Sequence, residues 1–221
     1  VTDYLEFTGT THAFEEVEVR ARVAGFLQRM NFTPGTKVEK GELLFVIDPR
    51  EYQAELNAAN AELRSAEAQL KRAEIEFKRA EKLFKQKAGA ETDVVKWRGQ
   101  RDVARADLLR YQQKKEEALE ILEELLEQHK GERIEDEALL MQGKLKEETG
   151  DYSGARMSYL KIIEFFGQDI LADDAHFALA ELYRTRLGEP EKAMEHYREI
   201  IFRFQDSYYF PEARKQFRIL R

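Results

Sequence analysis

The chain has 221 residues, of which 43% are apolar and 36% are charged, and its formal net charge is −7. Because Lys and Arg are interleaved with Asp and Glu, no basic stripe is available to neutralise a nucleic-acid backbone, which argues against nucleic-acid binding. Cysteine is absent, which excludes disulfides, a thiolate nucleophile and a cysteine zinc site. No apolar run approaches the roughly 18 residues that a membrane-spanning helix needs.

The chain is predicted to begin with a small β unit that covers residues 1–49. Apolar residues alternate loosely from Val17 to Val23 and again from Leu43 to Ile47. This alternation is typical of strands that cover one face of a core. Turn residues interrupt it at Gly25, Pro34, Gly35 and Gly41. We therefore predict three or four strands in this unit, and one further strand in the segment 1–11.

A long helix is predicted next, from about Arg50 to Lys87, because Pro49 suits the first turn of a helix. Its apolar residues recur alternately every four and three positions, which is the spacing of a coiled-coil seam. The seam consists of Tyr52, Leu56, Ala59, Leu63, Ala66, Leu70, Ala73, Phe77, Ala80 and Phe84. This seam predicts that the helix packs lengthwise on a second helix.

The second helix is predicted to run back along the first as an antiparallel hairpin, which gives a coiled-coil segment at residues 50–113. Gly89 breaks the first helix, and Thr92 or Asp93 is suited to cap the second. The apolar spacing then continues without a turn signal. We therefore predict one unbroken helix from Thr92 to His129 that belongs both to the hairpin and to the segment that follows.

An internal repeat occupies residues 114–221. Small residues recur at intervals of 37 or 38 positions in two series, Ala118, Ala155 and Ala193, and Ala138, Ala175 and Ala213. Each interval holds two amphipathic helices, and small residues are needed where paired helices cross closely. The predicted fold class is therefore mainly α, with a small N-terminal β unit, a long antiparallel α-hairpin and helical repeats.

The run from Val17 to Pro49 and the heptad helix behind it resemble the periplasmic adaptors (membrane fusion proteins) of bacterial tripartite efflux pumps and secretion systems. The residues that carry this resemblance are Gly25, Pro34, Gly35, Gly41, Asp48 and Pro49. The resemblance covers residues 1–113 and implies that residues 1–49 form the first half of a lipoyl-like barrel-sandwich domain, whose second half does not return here. It also implies a periplasmic location, with an outer-membrane channel or an inner-membrane transporter as partner. An inner-membrane anchor would then lie in a segment absent from this chain.

The repeat segment carries a second resemblance. GDYSGARMSY, from Gly150 to Tyr159, and LGEPEKAMEHY, from Leu187 to Tyr197, resemble the turn and second helix of a tetratricopeptide repeat. The long loops 168–175 and 204–213 resemble those of envelope-associated repeat proteins such as outer-membrane assembly lipoproteins and Tol-Pal coordinators. This resemblance covers residues 115–221 and implies a surface that binds a peptide or protein segment.

The tip of the hairpin is the first candidate contact site. Adaptors of the family carry an Arg, a Leu four residues later and a Ser eleven residues after the Arg, and these residues engage the outer-membrane channel. Arg79 and Leu83 match that spacing, whereas the Ser position is Ala90, with Thr92 nearby as the only hydroxyl. The alternative interpretation is that Arg79 is a solvated charge and Leu83 a flanking apolar residue of the coiled coil.

Two apolar surfaces are predicted to lack a cover within the chain. A half sandwich of about 47 residues buries too little surface to be stable alone, and the repeat array ends without a polar cap. The predicted contact residues are Val19, Phe26, Phe45, Phe202, Phe204, Tyr208, Tyr209, Phe210 and Phe217. We therefore expect a homo-oligomer or a partner that supplies the missing strands. The alternative is that the C-terminal aromatic residues form the core of the last repeat.

Sequence motifs for catalysis, cofactor binding and metal binding are absent. The four histidines, His12, His129, His176 and His196, have no second His or carboxylate pair at a spacing that gives three metal ligands on one helix face. Phosphate-binding and nucleophile motifs are also missing. We therefore predict a non-enzymatic coupler of a transport assembly in the cell envelope. The alternative is a protein-binding scaffold that works through residues 115–221, with the adaptor-like part a truncated or artificially fused segment.

Overall fold

The computed structural model describes residues 9, 15, 17–128 and 134–221, and it divides the chain into two compact units, Val1–Asn57 and Ala58–Arg221. The described residues form two short strands, eight α-helices and one π-helical turn. The fold is thus mainly α-helical with a small N-terminal β sheet, which confirms the predicted fold class.

The N-terminal unit contains an antiparallel pair of short strands, β1 (Leu27–Met30) and β2 (Phe45–Ile47). Between the strands the chain turns at Gly35 and Gly41, whose φ angles are 87° and 91°. Residues with a Cβ atom adopt this left-handed backbone conformation only rarely, so glycine is favoured at both positions. The turns predicted at these two glycines are therefore confirmed.

The prediction of three or four strands is wrong for the residues that the structure describes. The alternating segment 17–23 pairs with no other strand there, and the sheet has two strands only. Alternation specifies which side chains share a face, but a strand also needs a neighbour for its backbone hydrogen bonds. Apart from Gly9, the strand predicted at 1–11 lies outside the described residues.

Helix α1 (Arg50–Lys85) begins directly after the Asp48-Pro49 pair, as the sequence predicts. Asp48 accepts a hydrogen bond of 3.0 Å from the backbone N–H of Arg50, and bonds of 2.8 and 2.5 Å from its guanidinium group. These hydrogen bonds from Arg50 lower the pKa of Asp48. With 36 residues, α1 is about 54 Å long, which confirms the long helix.

The apolar seam of α1 is buried only in part. Helix α2 (Glu91–Tyr111) has 21 residues, against the 36 of α1. Three seam alanines at seven-residue spacing are buried, namely Ala66, Ala73 and Ala80, while Tyr52 and Leu56 at the start of the seam are exposed. The guanidinium of Arg101 on α2 lies 4.6 Å from the ring centre of Phe77 on α1. A charged residue therefore fits into the seam because its planar group packs on an aromatic ring.

Helix α2 stops before α3 (Lys115–Gln128), so the prediction of one unbroken helix from Thr92 to His129 is wrong. Gln113 adopts a left-handed φ of 63°, and the backbone N–H of Lys114 donates to the carbonyl of Leu109 at 2.9 Å. A left-handed residue with this bond is a common way to close a helix C-terminus. Because α2 and α3 both face one core, the apolar spacing continues across the turn between them.

Helix pairs follow one another along the rest of the chain, α2 with α3, α4 with α5, and α6 with α7, and α8 packs on α7. The later helices are α4 (Glu135–Thr149), α5 (Tyr152–Phe166), α6 (Ala172–Leu182), α7 (Pro190–Arg203) and α8 (Phe210–Leu220), with a π-helical turn at Tyr183–Leu187. The six repeat alanines lie on α3 to α8, one on each helix, and all six are fully buried. The predicted repeat of helix pairs is confirmed.

Glycine, aspartate and proline shape the turns inside the repeats. Gly150 ends α4 with a φ of 87°, and Asp151 caps α5 by accepting a hydrogen bond of 2.9 Å from the N–H of Gly154. In the next repeat Gly188 has a φ of 66°, and Pro190 lies in the first turn of α7. Both segments selected from the sequence therefore form a turn followed by the second helix of a pair.

The second arm of the hairpin is also the first helix of the repeat array. One buried cluster combines apolar side chains from α2, from α3 and from the start and middle of α4: Ala106, Leu109, Ala118, Leu122, Leu125, Ile134, Ala138 and Leu145. Helix α2 therefore packs on α3 and α4 in addition to its contact with Phe77. The domain limits 1–49, 50–113 and 114–221 stay predictions, because α2 contributes to both of the last two segments.

An ion-pair network fixes the turn between α2 and α3 to the end of α4. Glu148 accepts a hydrogen bond of 2.8 Å from Arg110 and lies 3.0 Å from the ammonium group of Lys115. Arg110 also pairs with Asp107 at 3.1 Å. Partial burial would raise the pKa of Glu148, but the hydrogen bonds from Arg110 and Lys115 outweigh this effect and lower it.

Replacement of Glu148 by glutamine is expected to reduce the free energy of unfolding by about 1 kcal/mol at pH 7, because two partly buried cations lose a shared partner. The loss should disappear in acid, since a carboxylate with a lowered pKa stabilises the folded state above its unfolded-state pKa and ceases to do so as the pH falls through its folded-state pKa. Urea unfolding at pH 7 and pH 3 measures both effects. Glu117→Gln is the control, because the ion pair of Glu117 with Lys114 is exposed and long, at 3.6 Å.

Candidate protein-contact sites

The hairpin reverses direction in a short turn between α1 and α2. Lys87 adopts a left-handed φ of 57°, and the backbone N–H groups of Lys87 and Ala88 each donate at 2.9 Å, to the carbonyls of Phe84 and Leu83 respectively. Ala90 is the N-cap residue of α2 and has no side-chain hydrogen bond to the helix. The predicted capping by Thr92 or Asp93 is wrong, because α2 begins one or two residues before them and includes both in its first turn.

The four residues selected at the tip are all exposed. Arg79 lies near the end of α1 and forms an ion pair of 3.8 Å with Glu76. Leu83 is 37% exposed and lies against Gly89 of the turn. Ala90 and Thr92 lie where α2 begins. The structure thus places the four residues around the reversal, and their contact with a partner stays a prediction.

Two features of the tip were missed by the motif comparison. Phe84, which belongs to the predicted seam, is 43% exposed beside Leu83. Residues 78–87 also contain five cations and a single acidic residue, and the cations are Lys78, Arg79, Lys82, Lys85 and Lys87. Glu81, the acidic residue, pairs with Lys85 at 3.0 Å. We call Leu83, Phe84 and these five cations the tip surface. The run of basic residues was visible in the sequence and could have indicated it.

The apolar residues selected in the N-terminal unit are exposed or half-exposed. Val19 and Phe26 are exposed, and Phe45 on β2 packs edge-on against Phe32 with ring centres 5.2 Å apart. The N-terminal unit therefore exposes apolar side chains. Binding of a partner through these side chains stays a prediction.

The aromatic residues near the C-terminus divide into two groups. Phe202 and Tyr208 are 69% and 90% exposed. Tyr209 stacks on Phe177 with ring centres 4.3 Å apart and donates a hydrogen bond of 2.9 Å to Asp174, and partial burial raises the pKa of Tyr209 to about 12. The remaining three, Phe204, Phe210 and Phe217, are partly buried, and Phe217 packs on the core of the array. Part of this cluster is therefore exposed and part packs into the last repeat, and its contact with a partner stays a prediction.

Residues 17–128 and 134–221 contain no helix that is both long enough and apolar enough to cross a bilayer. In the same ranges, histidine, aspartate and glutamate side chains do not gather in groups of three that could hold a metal ion. His12 and His129 lie outside the described residues. His176 and His196, however, contact each other, and the sequence analysis missed this pair because the two residues lie on successive helices.

The structure combines a long α-helical hairpin with an array of helix pairs that shares one arm of the hairpin. The family described as RND MFP (membrane fusion protein), barrel-sandwich hybrid domain, matches residues 15–162, and the tetratricopeptide repeat family matches residues 174–207. Since the first match covers more than half of the sequence, the chain belongs to the RND membrane fusion protein family. Members of this family are linkers rather than enzymes, which confirms the prediction on catalysis.

Curated relatives are similar over a short segment. The chain is 52% identical over 54 residues to the efflux pump periplasmic linker BepD of Brucella suis biovar 1, and 44% identical over 54 residues to the solvent efflux pump periplasmic linker SrpA of Pseudomonas putida. It is 48% identical over 59 residues to the multidrug resistance protein MdtA of Pantoea ananatis. These segments cover 24% to 27% of this chain and 14% of the length of each relative. No solved structure matches the chain.

Proposed function

We propose that the chain is a periplasmic adaptor of an efflux assembly in the bacterial cell envelope. Its family supports this role, and relatives such as BepD and SrpA are named as periplasmic linkers of efflux pumps. The partners of the chain are then an outer-membrane channel and an inner-membrane transporter. The apolar surfaces of the N-terminal unit support a homo-oligomer as the working form.

The observation that carries the proposal is the tip surface at the end of the hairpin. Leu83 and Phe84 offer apolar area at the reversal, and five cations lie in the same ten residues. Such a surface is complementary to an apolar depression with an acidic rim. Because α2 also packs in the repeat array, the tip is attached to a broad base rather than to a flexible linker. The mechanism is therefore geometric: the hairpin spans a distance and its tip docks.

A photo-crosslinking amino acid at Leu83 is expected to form a covalent product with an outer-membrane protein in intact cells. The matched control places the same amino acid at Ser65, which is exposed on α1 well away from the tip. Addition of Lys82→Glu and Lys85→Glu should reduce the product about tenfold, because the charge complementarity is reversed. Equal yields at Leu83 and Ser65, or no effect of the charge reversal, would contradict docking through the tip.

A scaffold that works through its repeats alone is the second candidate function. It is favoured by the match of residues 174–207 to the tetratricopeptide repeat family and by the exposure of Phe202 and Tyr208 beyond the hairpin. Restoration of efflux in cells that lack the chain separates the two candidate functions. An adaptor loses activity with Leu83→Asp and retains it with Phe202→Ser, whereas a repeat scaffold shows the opposite response.

A further inference from the structure

Two histidines face each other between the helices of the last pair. His176 on α6 and His196 on α7 have their Nδ1 atoms 3.1 Å apart, and their ring centres are separated by 5.3 Å. At this distance one Nδ1 carries a hydrogen and donates it to the other, which must be unprotonated at that nitrogen. The contact therefore exists only while at least one of the two rings is neutral.

The pair lies within an aromatic environment. His176 is 4% exposed, and its ring centre lies 5.8 Å from that of Phe204, the residue that follows α7. The ring of His196 stacks on Tyr183 of the π-helical turn, 5.7 Å away and within 5° of parallel. These rings join α6, α7 and the start of the C-terminal segment in one cluster.

Charged groups surround the pair on each packed element. Glu164 and Asp169, from α5 and the loop after it, line a cavity of about 290 Å³ together with His176 and Arg203. Asp173 on α6 and Glu195, Glu199 and Arg203 on α7 also act on the rings. Arg203 forms an ion pair of 3.3 Å with Glu199, which weakens the influence of that carboxylate on the histidines. The nearby carboxylates thus do not compensate for burial.

Burial and the neighbouring ring both lower the pKa of His176. Burial, and then the charge of His196, lower the pKa of His176 to about 4, and burial lowers the pKa of His196. If both rings were protonated, two N–H groups and two positive charges would face each other across 3.1 Å. The rings would then have to separate.

We propose that this histidine pair is an acid-operated latch, in which protonation of both rings separates α6 from α7 and releases Phe204 and the segment after it from the core. At neutral pH the latch holds residues 204–221 against the array. In acid these residues detach, and the aromatic side chains that they bury become available. The latch does not depend on the proposed efflux role, since it concerns only the last helix pair and the C-terminal segment.

The direction of the pH dependence follows from linkage. When folding lowers the pKa of a histidine, the folded state keeps its full stability at any pH above the unfolded-state pKa of that histidine. The unfolded-state pKa is about 6.5. As the pH falls from there toward about 4, the unfolded state binds protons that folded His176 does not. The folding equilibrium constant then decreases by up to about 300-fold from this one residue.

Nuclear magnetic resonance titration of the full wild-type chain with labelled histidine tests whether the pKa of His176 is lowered. Signals are assigned with His176→Gln and His196→Gln, and the unfolded chain in urea gives the reference. We expect His176 to titrate at least one pH unit below that reference. A titration of His176 at the reference value would overturn the proposal.

Hydrogen exchange of residues 204–221 tests whether this segment is released in acid. After correction for the intrinsic rate, the wild-type chain should exchange about tenfold faster in this segment at pH 5 than at pH 7, because the latch opens. His196→Gln should lower that ratio, because His176 then loses its positively charged neighbour while its own burial remains. Glu191→Gln, an exposed change on the same helix, should retain it. A ratio that is absent in the wild type, or unchanged in His196→Gln, would show that the pair does not control the segment.

Discussion

Replacement of Gly143 by alanine is expected to reduce the free energy of unfolding by about 3 kcal/mol, at the upper end of the range for overpacked cores. A methyl group built on Gly143 would lie 2.7 Å from Cδ1 and 2.8 Å from Cζ of Tyr159, far closer than van der Waals contact. The Tyr159 ring is fully buried, and its hydroxyl donates a hydrogen bond of 3.3 Å to Glu147. The ring therefore has little freedom to move aside.

Thermal and urea unfolding measure this loss, with Lys144→Ala as the control because Lys144 is the exposed neighbour on the same helix. A double-mutant cycle makes the cause specific. Tyr159→Ala is itself destabilising, but it removes the ring with which the new methyl group would clash. In that background Gly143→Ala should therefore cause almost no further loss in the free energy of unfolding. If the cost is the same in both backgrounds, contact with Tyr159 is not the reason for the glycine.

Replacement of Leu122 by alanine is expected to cost about 2–5 kcal/mol, the usual range for a large-to-small change in a core. Leu122 lies on α3, is fully buried, and belongs to the cluster that joins α2, α3 and α4. The resulting cavity removes contacts from α2 as well as from α4. The loss of stability should therefore extend to α2, the arm of the hairpin that packs in the repeat array.

Hydrogen exchange along α2 distinguishes this result from a general loss of stability. In Leu122→Ala the amides of α2 should lose protection together with those of α3 and α4. Glu123→Ala, an exposed change at the next position, should leave the exchange of α2 as it is in the wild type. Full retention of α2 protection in Leu122→Ala would mean that the arm is held by α1 rather than by the repeats.

Helix α1 shows which structural features a periodic pattern predicts and which it does not. The spacing of apolar residues indicated the helix and the face that packs, and Pro49 indicated its start; all three are properties of the local sequence. In the structure Ala66, Ala73 and Ala80 are the buried seam positions, and Tyr52 and Leu56 are exposed. Which part of a seam is covered depends on the segments that pack against it, and the sequence of α1 does not encode them.

The tip illustrates a different limit. The basic residues and the reversal near Gly89 are local features that the sequence shows. The capping of α2 was predicted from residue preference at Thr92 or Asp93, yet the turn closes through backbone hydrogen bonds at Lys87 and Ala88 and uses Ala90 as the N-cap. Cap preference amounts to about 1 kcal/mol, so the geometry of a tight hairpin can override it.

The long α1 and the repeat of helix pairs follow from the amino-acid sequence alone, because helical period and small residues at close helix crossings are local properties of the chain. The packing of distant segments was needed to see that α2 and α3 are separate helices, that Phe202 and Tyr208 are exposed while Phe217 is packed, and that His176 meets His196. The physical reason is the same in each case. A periodic pattern specifies which face of a helix is buried, whereas the partner of that face depends on how distant segments pack.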